Sequence, residues 1–284
     1  LTPSPLLLNH TETMTASSVL VTERDFARTY DGGTYDDAWR AVQQYRHAVS
    51  FSVDHPDQGY TSIATKVGFP QSRVRSWVAA GHTPSVVSGL YAARKHGWID
   101  ISFTDNEFMG LNILVASIYS GGMIASDHWQ PIFTLTESEF DSKCVTALEL
   151  SGVGYTVRKE SNSNRGKSVR PGEDGAILGR VLHVLGAPVG SKAHSESLSL
   201  PWYLEEAPLE VRKQFVQAYI SNRSTTSSDS PSVQIIEERA DSYREELAEL
   251  IESIAGESVT AGERSVTISA AAVESLGLDS ERLR

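Results

Sequence analysis

Residues 111–122 read LNILVASIYSGG, and residues 215–224 read FVQAYISNRS. Each is an apolar run at helical spacing with small residues along one face: Ala116 and Ser120 in the first, Ala218 and Ser221 in the second. Small side chains let two helix backbones approach closely, so the two stretches are expected to pair as a seam between two halves. The flanking patterns agree. Within 104–196 the first helix runs to Gly122 and is followed by a strand around 131–136 and a helix over 137–151, stopped by Gly152. A strand from Tyr155, the loop SNSNRGKS, a short strand at 168–170 and a helix over 176–185 complete the unit. Residues 197–277 repeat that order, with strands near 232–236, 258–260 and 265–268 and helices over 240–254 and 270–276. Two copies of one αββαββα unit in one chain imply an α/β (α+β) fold with internal pseudo-twofold symmetry.

The paired stretches resemble the twin motif helices of the LAGLIDADG homing endonucleases. Matched to the nine-letter motif, the first copy puts Ala116 on the third position, Gly121 on the acidic eighth and Gly122 on the last. The second copy puts Ala218, Arg223 and Ser224 on the same places. The approach Leu200-Pro-Trp-Tyr-Leu, then Ala207-Pro, Arg212 and Phe215, is similar to the second-motif lead-in of intein-type members. The resemblance covers 104–277, more specifically in the second copy than in the first. It implies a saddle of two sheets over DNA and, in active members, carboxylates at the eighth positions that bind divalent metal between the strands. Here those positions are a glycine and an arginine, so no catalytic residue and no metal ligand is expected.

Ahead of the repeats, residues 34–103 read as an all-α domain. Ala38, Trp39, Val42, Tyr45 and Val49 recur at helical spacing, and the stretch from Asp54 to Gly59 breaks the helix. Then TSIATKVGFPQSRVRSWVAAG, residues 61–81, has helix-turn-helix spacing. A larger side chain at Ala64 would separate the helices, Gly68 suits the positive φ of the turn, and Val74 fills the space between them. Ile63, Val67, Trp77 and Val78 complete the apolar face. The outward side carries Gln71, Ser72, Arg75 and Ser76, with Arg73 at its edge, the residue types a recognition helix presents to base edges. A hairpin packed for structure alone is the competing reading. A further helix, 85–96, ends at Gly97-Trp98, and Thr83-Pro-Ser before it looks like the lead-in of archaeal relatives of the family. Residues 1–33 read as mostly loose and 278–284 as a tail.

Composition narrows the function. The chain has 284 residues, 40% hydrophobic and 21% charged, with a net charge of −11. That charge argues against a generally basic nucleic-acid coat but allows local patches. Arginine outnumbers lysine amid abundant Asp and Glu, a pattern weakly associated with salt-loving organisms; an ordinary acidic cytosolic protein is the alternative. The single cysteine, Cys144, leaves no disulfide framework, and the scattered histidines form no ligand cluster. No apolar run approaches the ~20 residues of a membrane span. The opening LTPSPLLLNH is too short in its apolar core and lacks a basic start for a signal peptide, with Met14 the expected natural start. The ends lack splicing residues, so an intein is not expected. The sequence NRGKS, 164–168, lacks the first glycine of a phosphate-binding loop. Asp127 and Asp229 lie beyond the motif helices, too far into the next segments to serve as displaced metal ligands.

Arg158, Lys159, Arg165, Lys167 and Arg170 cluster on one hairpin of the first half. In the family such a hairpin faces phosphates and base edges, whereas the plain alternative is a solvated hairpin. From Glu237 onward the chain is strongly acidic and is expected to face solvent. These readings converge on a sequence-specific double-stranded DNA-binding protein, similar to transcription regulators that join the two modules. It is expected to be monomeric, cytoplasmic and nucleoid-associated, with no cofactor and with Arg223 as a further DNA contact. The alternatives are a homing endonuclease requiring Mg2+ and a protein-interaction module whose saddle binds a partner protein. Metal-dependent nicking marks the first, salt-dependent duplex binding either DNA reader, and absence of duplex binding at low salt the last.

Overall fold

Apolar faces recurring at helical or strand periods must be buried against one another, and their order along the chain sets the architecture. In a computed structural model of the chain, residues 19–33, 37–135, 139–158, 167–192, 198–226, 232–279 and 283 are described. The N-terminal third is helical: α1 (Glu23–Arg28), α2 (Ala38–Asp54), α3 (Tyr60–Val67), α4 (Gln71–Val74) and α5 (Ser85–Lys95). Then follow α6 (Asn106–Ser120), β1 (Met123–Ile124), β2 (Pro131–Thr134), α7 (Glu139–Leu150), β3 (Tyr155–Arg158), β4 (Ser168–Pro171) and α8 (Gly175–Val184). A 3-10 turn at Trp202–Glu205 leads into α9 (Leu209–Arg223), β5 (Ser224–Thr226), β6 (Val233–Ile236), α10 (Asp241–Ala255), β7 (Val259–Ala261), β8 (Ser265–Ile268) and α11 (Ala270–Ser275). The chain is thus a mixed helix-and-sheet protein in which one element order occurs twice.

Both sheets are four-stranded with the same connectivity, β1-β2-β4-β3 and β5-β6-β8-β7, and every adjacent strand pair is antiparallel. Strand alternation decides which face each sheet buries. In β6 the side chains of Val233 and Ile235 are buried while Gln234 and Ile236 are exposed. Val233 and Ile235 stand opposite Ile268 and Val266, both fully buried. In the first sheet Phe133 and Val169 pair on the buried face.

The two halves meet where α6 packs along α9. Ala116 is fully buried and Ala218 nearly so, which brings the two backbones together as the small-residue faces require. The seam also carries a polar clamp. Asn112, fully buried in the apolar run, donates to the Val211 carbonyl at 2.9 Å and to Gln214 Oε1 at 2.8 Å. Its own carbonyl oxygen accepts from the Tyr203 hydroxyl at 2.7 Å. A buried amide with both ends satisfied fixes the register of two helices that apolar contacts alone would let slide.

Three sequence expectations need correction. Residues 19–33 are not loose: α1, capped by Thr22, buries Phe26 and Ala27, and Leu20 and Val21 are buried beside them. Residues 34–103 do not form a separate core. Val87, Leu90, Trp98 and Ile101 join the same apolar cluster as α6 and α9, and only Ile63, Ala64 and Val74 form a cluster of their own. The docking is reinforced by Arg180, whose guanidinium lies 3.8 Å from the Tyr30 ring centre and 4.3 Å from that of Trp129. His96 Nε2 also lies 3.0 Å from Asp174 Oδ2. Finally, the chain from Glu237 onward does not simply face solvent. Glu237, Arg239 and Arg244 are buried, and α10 hides Tyr243, Leu247 and Ile251 while exposing its acids other than the half-buried Glu246.

Because Ala218 has no room to grow, Ala218→Leu should overpack the seam and destabilise the protein by about 1–3 kcal/mol. Thermal melting measures this, and an unchanged midpoint would exclude the close helix pairing.

Candidate nucleic-acid interface

The first candidate surface is built on the turn after α3. Gly68 ends α3 in the left-handed region, with φ 71° and ψ 28°, and its amide region turns the chain back through Phe69 and Pro70 into α4. Ile63, Ala64 and Val74 fill the angle between the two helices, with Tyr60, Val67, Phe69 and Val78 packed against them. Beyond Val74 the helix loosens into a π-wound turn over Arg75–Ala79, with the Ala80 amide bonding the Arg75 carbonyl. Nothing in the spacing of these residues announces that change.

Gln71, Ser72 and Arg75 stand exposed on this element, while Arg73 and Ser76 are half-buried. Gln71 Nε2 donates to Thr61 Oγ1 at 2.8 Å, and the Arg75 guanidinium lies 5.9 Å from the Tyr60 ring centre. Arg73 turns back toward α2, donating to Gln44 Oε1 at 3.0 Å with its guanidinium 5.9 Å from the Trp77 ring centre. The Ser76 hydroxyl lies 3.2 Å from His82 Nδ1. Gln71, Ser72 and Arg75 therefore form the outward surface, and Arg73 and Ser76 brace it from its edge.

The basic hairpin is described in part. Thr156 pairs with Arg170 and Arg158 with Ser168, so Arg158 and Arg170 project from the same face, opposite the one that buries Val169. Arg158 is exposed, while Arg170 and Lys167 are half-buried. Lys159 and Arg165 lie outside the described residues. Among the described strand residues the matching face of the second sheet is uncharged, presenting Gln234, Thr260 and Thr267.

The third surface lies where α6 and α9 end. The last carbonyls of a helix lack partners within it and carry the negative end of its dipole. Cationic side chains from distant segments cover those of α6. Lys192 Nζ donates to the carbonyls of Ile118 and Gly122, Arg239 Nη2 to that of Tyr119 at 2.6 Å, and Arg223 Nη1 to that of Ser120 at 2.8 Å. Behind them sits Glu237, fully buried, accepting from the Tyr219 hydroxyl at 2.7 Å and lying 3.3 Å from both Arg223 Nε and Arg239 Nη1. Asn222 Nδ2 crosses the seam to Ser120 Oγ at 2.6 Å. Gly121 is exposed beside it, and a Cβ there would meet Asn222 Nδ2 at 3.1 Å. Together Gly121, Ser191, Lys192, Arg223, Glu237, Glu238 and Arg239 line a cleft of about 460 Å3.

Burial first, then the neighbouring Arg239 and Arg223, pulls the Lys192 ammonium down to a pKa of about 7, against a smaller opposing pull from Glu237. Burial pushes the hydroxyls of Tyr219 and Tyr243 upward, so both remain neutral donors. A divalent metal, as the endonuclease resemblance would call for, does not fit this donor set. Of the two carboxylates that line the cleft, Glu237 is held by Tyr219, Arg223 and Arg239 and Glu238 is engaged by Arg264, while Lys192, Arg223 and Arg239 repel a cation. Of these residues the sequence reading singled out Gly121 and Arg223. Lys192 and the pair Glu237 and Arg239 were missed because they come from two segments away from the motif helices, although a charged triplet directly after an alternating strand, Glu237-Glu238-Arg239, was a usable signal.

Compared with known proteins, the chain matches no family model and no curated protein.

The Lys192 position carries a pH signature. Below about pH 7 the amine is charged in both folded and unfolded chains. Between about 7 and its ordinary value near 10.5, only the unfolded chain holds the proton, so stability rises with pH across that window. This lysine contributes a slope of at most about 1.4 kcal/mol per pH unit. Lys192→Met should flatten the rise in denaturation midpoint between about pH 7.5 and about pH 9.5. A variant with the wild-type slope would show that Lys192 keeps its proton on folding.

Proposed function

We propose that the chain is a sequence-specific double-stranded DNA-binding protein, a transcription regulator built on a LAGLIDADG-type scaffold without the acidic cutting site. The observation that carries this reading is the outward face of the element after Gly68. Gln71, Ser72 and Arg75 project from a short helix fixed by its own small core, free of the main apolar cluster. A glutamine and an arginine on one exposed helical surface can pair with adenine and guanine edges in the major groove, and a serine with either. In this reading the two helices are a helix-turn-helix, and Arg73 and Ser76 hold the reading helix at its angle.

The doubled αββαββα order, the identical sheet connectivity and the small-residue seam support a pseudo-symmetric saddle beneath the DNA. Arg158 and Arg170 on the outer face of the first sheet are placed to contact phosphates, the contacts that position a protein without reading sequence. The second sheet, with Gln234, Thr260 and Thr267, offers neutral hydrogen-bonding groups instead. Arg223, where the family motif has a carboxylate, becomes a contact for the backbone. The protein acts as a monomer on the nucleoid, its internal symmetry standing in for a dimer's. Among the described residues no helix is long and apolar enough to cross a membrane.

Arg75→Ala should weaken binding to the preferred duplex by about 1–3 kcal/mol while leaving non-specific duplex binding nearly unchanged. Competition titrations with the preferred and a scrambled duplex measure both. Equal weakening on the two would reduce Arg75 to a phosphate contact, and no duplex binding at low salt would favour a surface for a protein partner.

A further inference from the structure

The cleft at the ends of α6 and α9 holds more positive charge than its own carboxylate neutralises. Lys192, Arg223 and Arg239 face the single buried carboxylate of Glu237, while Glu238 is engaged by Arg264. The two helix ends add about half a negative charge each, so about one positive charge is left over when the Lys192 amine is protonated. The cations are also held rather than free to swing. Arg223 is tied through Nε to the Ile236 carbonyl at 3.0 Å and through Nη1 to that of Ser120. Its side chain remains 29% exposed, and Nη2 makes no hydrogen bond among the described residues. Lys192 has three N–H donors and gives two of them to carbonyls. Ser191, exposed beside it, adds a hydroxyl at the lip.

We propose that this cleft is a phosphate-binding site in which Arg223 and Lys192 grip the oxygens of one phosphoryl group and Ser191 closes over it. A planar guanidinium and an ammonium, both anchored in advance, lose little freedom on binding an anion. The cleft volume of about 460 Å3 admits the group without moving the helices. An anion there also relieves the repulsion among Lys192, Arg223 and Arg239, so its arrival favours the protonated amine. Two sources share this chemistry, the DNA backbone and a free phosphate-bearing molecule. The first of them rests on the DNA-binding reading above.

The probe is inorganic phosphate, compared with chloride at matched ionic strength, on the full chain. Phosphate should raise the wild-type melting temperature saturably and shift the Lys192 titration midpoint, followed by 15N NMR of the side-chain amine, upward. The thermal effect should vanish in Arg223→Gln, with circular dichroism checking that the variant folds. The NMR arm needs no variant. The source is then read with a duplex. If Arg223→Gln lowers the slope of log affinity against log salt by about one, and phosphate competes with the duplex, the DNA backbone occupies the cleft. If phosphate stabilises the protein while the duplex slope is unchanged, the ligand is a free phosphate-bearing molecule. No saturable stabilisation and no shift of the Lys192 midpoint in the wild type overturns the site, even where duplex binding itself is intact. Phosphate binding without any duplex binding overturns only the DNA reading.

Discussion

Two helix backbones lie against each other only where the side chains between them are small, and the α6–α9 contact meets that condition at Ala116 and Ala218. Each half otherwise covers the apolar face of its four-stranded sheet with its own helices, and α6 and α9 join the two halves. The main apolar cluster runs without interruption from α1 through the seam to α11. Asn112 adds to this contact what apolar packing cannot. By bonding Val211, Gln214 and Tyr203 it makes one register of the helix pair better than its neighbours.

Close pairing has an electrostatic consequence. It brings two helix C-termini, and the carbonyls that end them, to one place on the surface. Such a place attracts cations, and a protein can supply them as bound metal held by carboxylates or as its own side chains. This chain does the latter. Lys192, Arg223 and Arg239 satisfy successive carbonyls at the end of α6, and Glu237 balances part of their charge from beneath. In the proposed reading the same cations grip a phosphate rather than share the site with a metal.

Much of the fold was legible in the sequence because it rests on local rules. The helical spacing of LNILVASIYSGG, the alternation in Val233-Gln-Ile-Ile and the glycine at 68 each specify a structure from a few adjacent residues. The expectations that failed involve contacts between distant segments. Residues 19–33 looked polar, yet Phe26 finds a pocket supplied by other elements. The stretch from Glu237 looked like solvated acid, yet its first glutamate is buried under arginines that approach from α9 and from its own turn. The π-wound turn at Arg75–Ala79 carries no glycine or proline to mark it. At the candidate site Arg223 was visible as a departure from a motif, whereas Lys192 had no local signature at all.

The central claim is that the chain reads duplex DNA and leaves it intact. One experiment addresses both halves: incubation of the protein with a pool of randomised duplexes in magnesium, followed by sequencing of bound molecules together with their ends. The account expects one enriched sequence, recovered at full length. A bound fraction without an enriched sequence, or an enriched sequence cut at a fixed position by the unmodified protein, would contradict it.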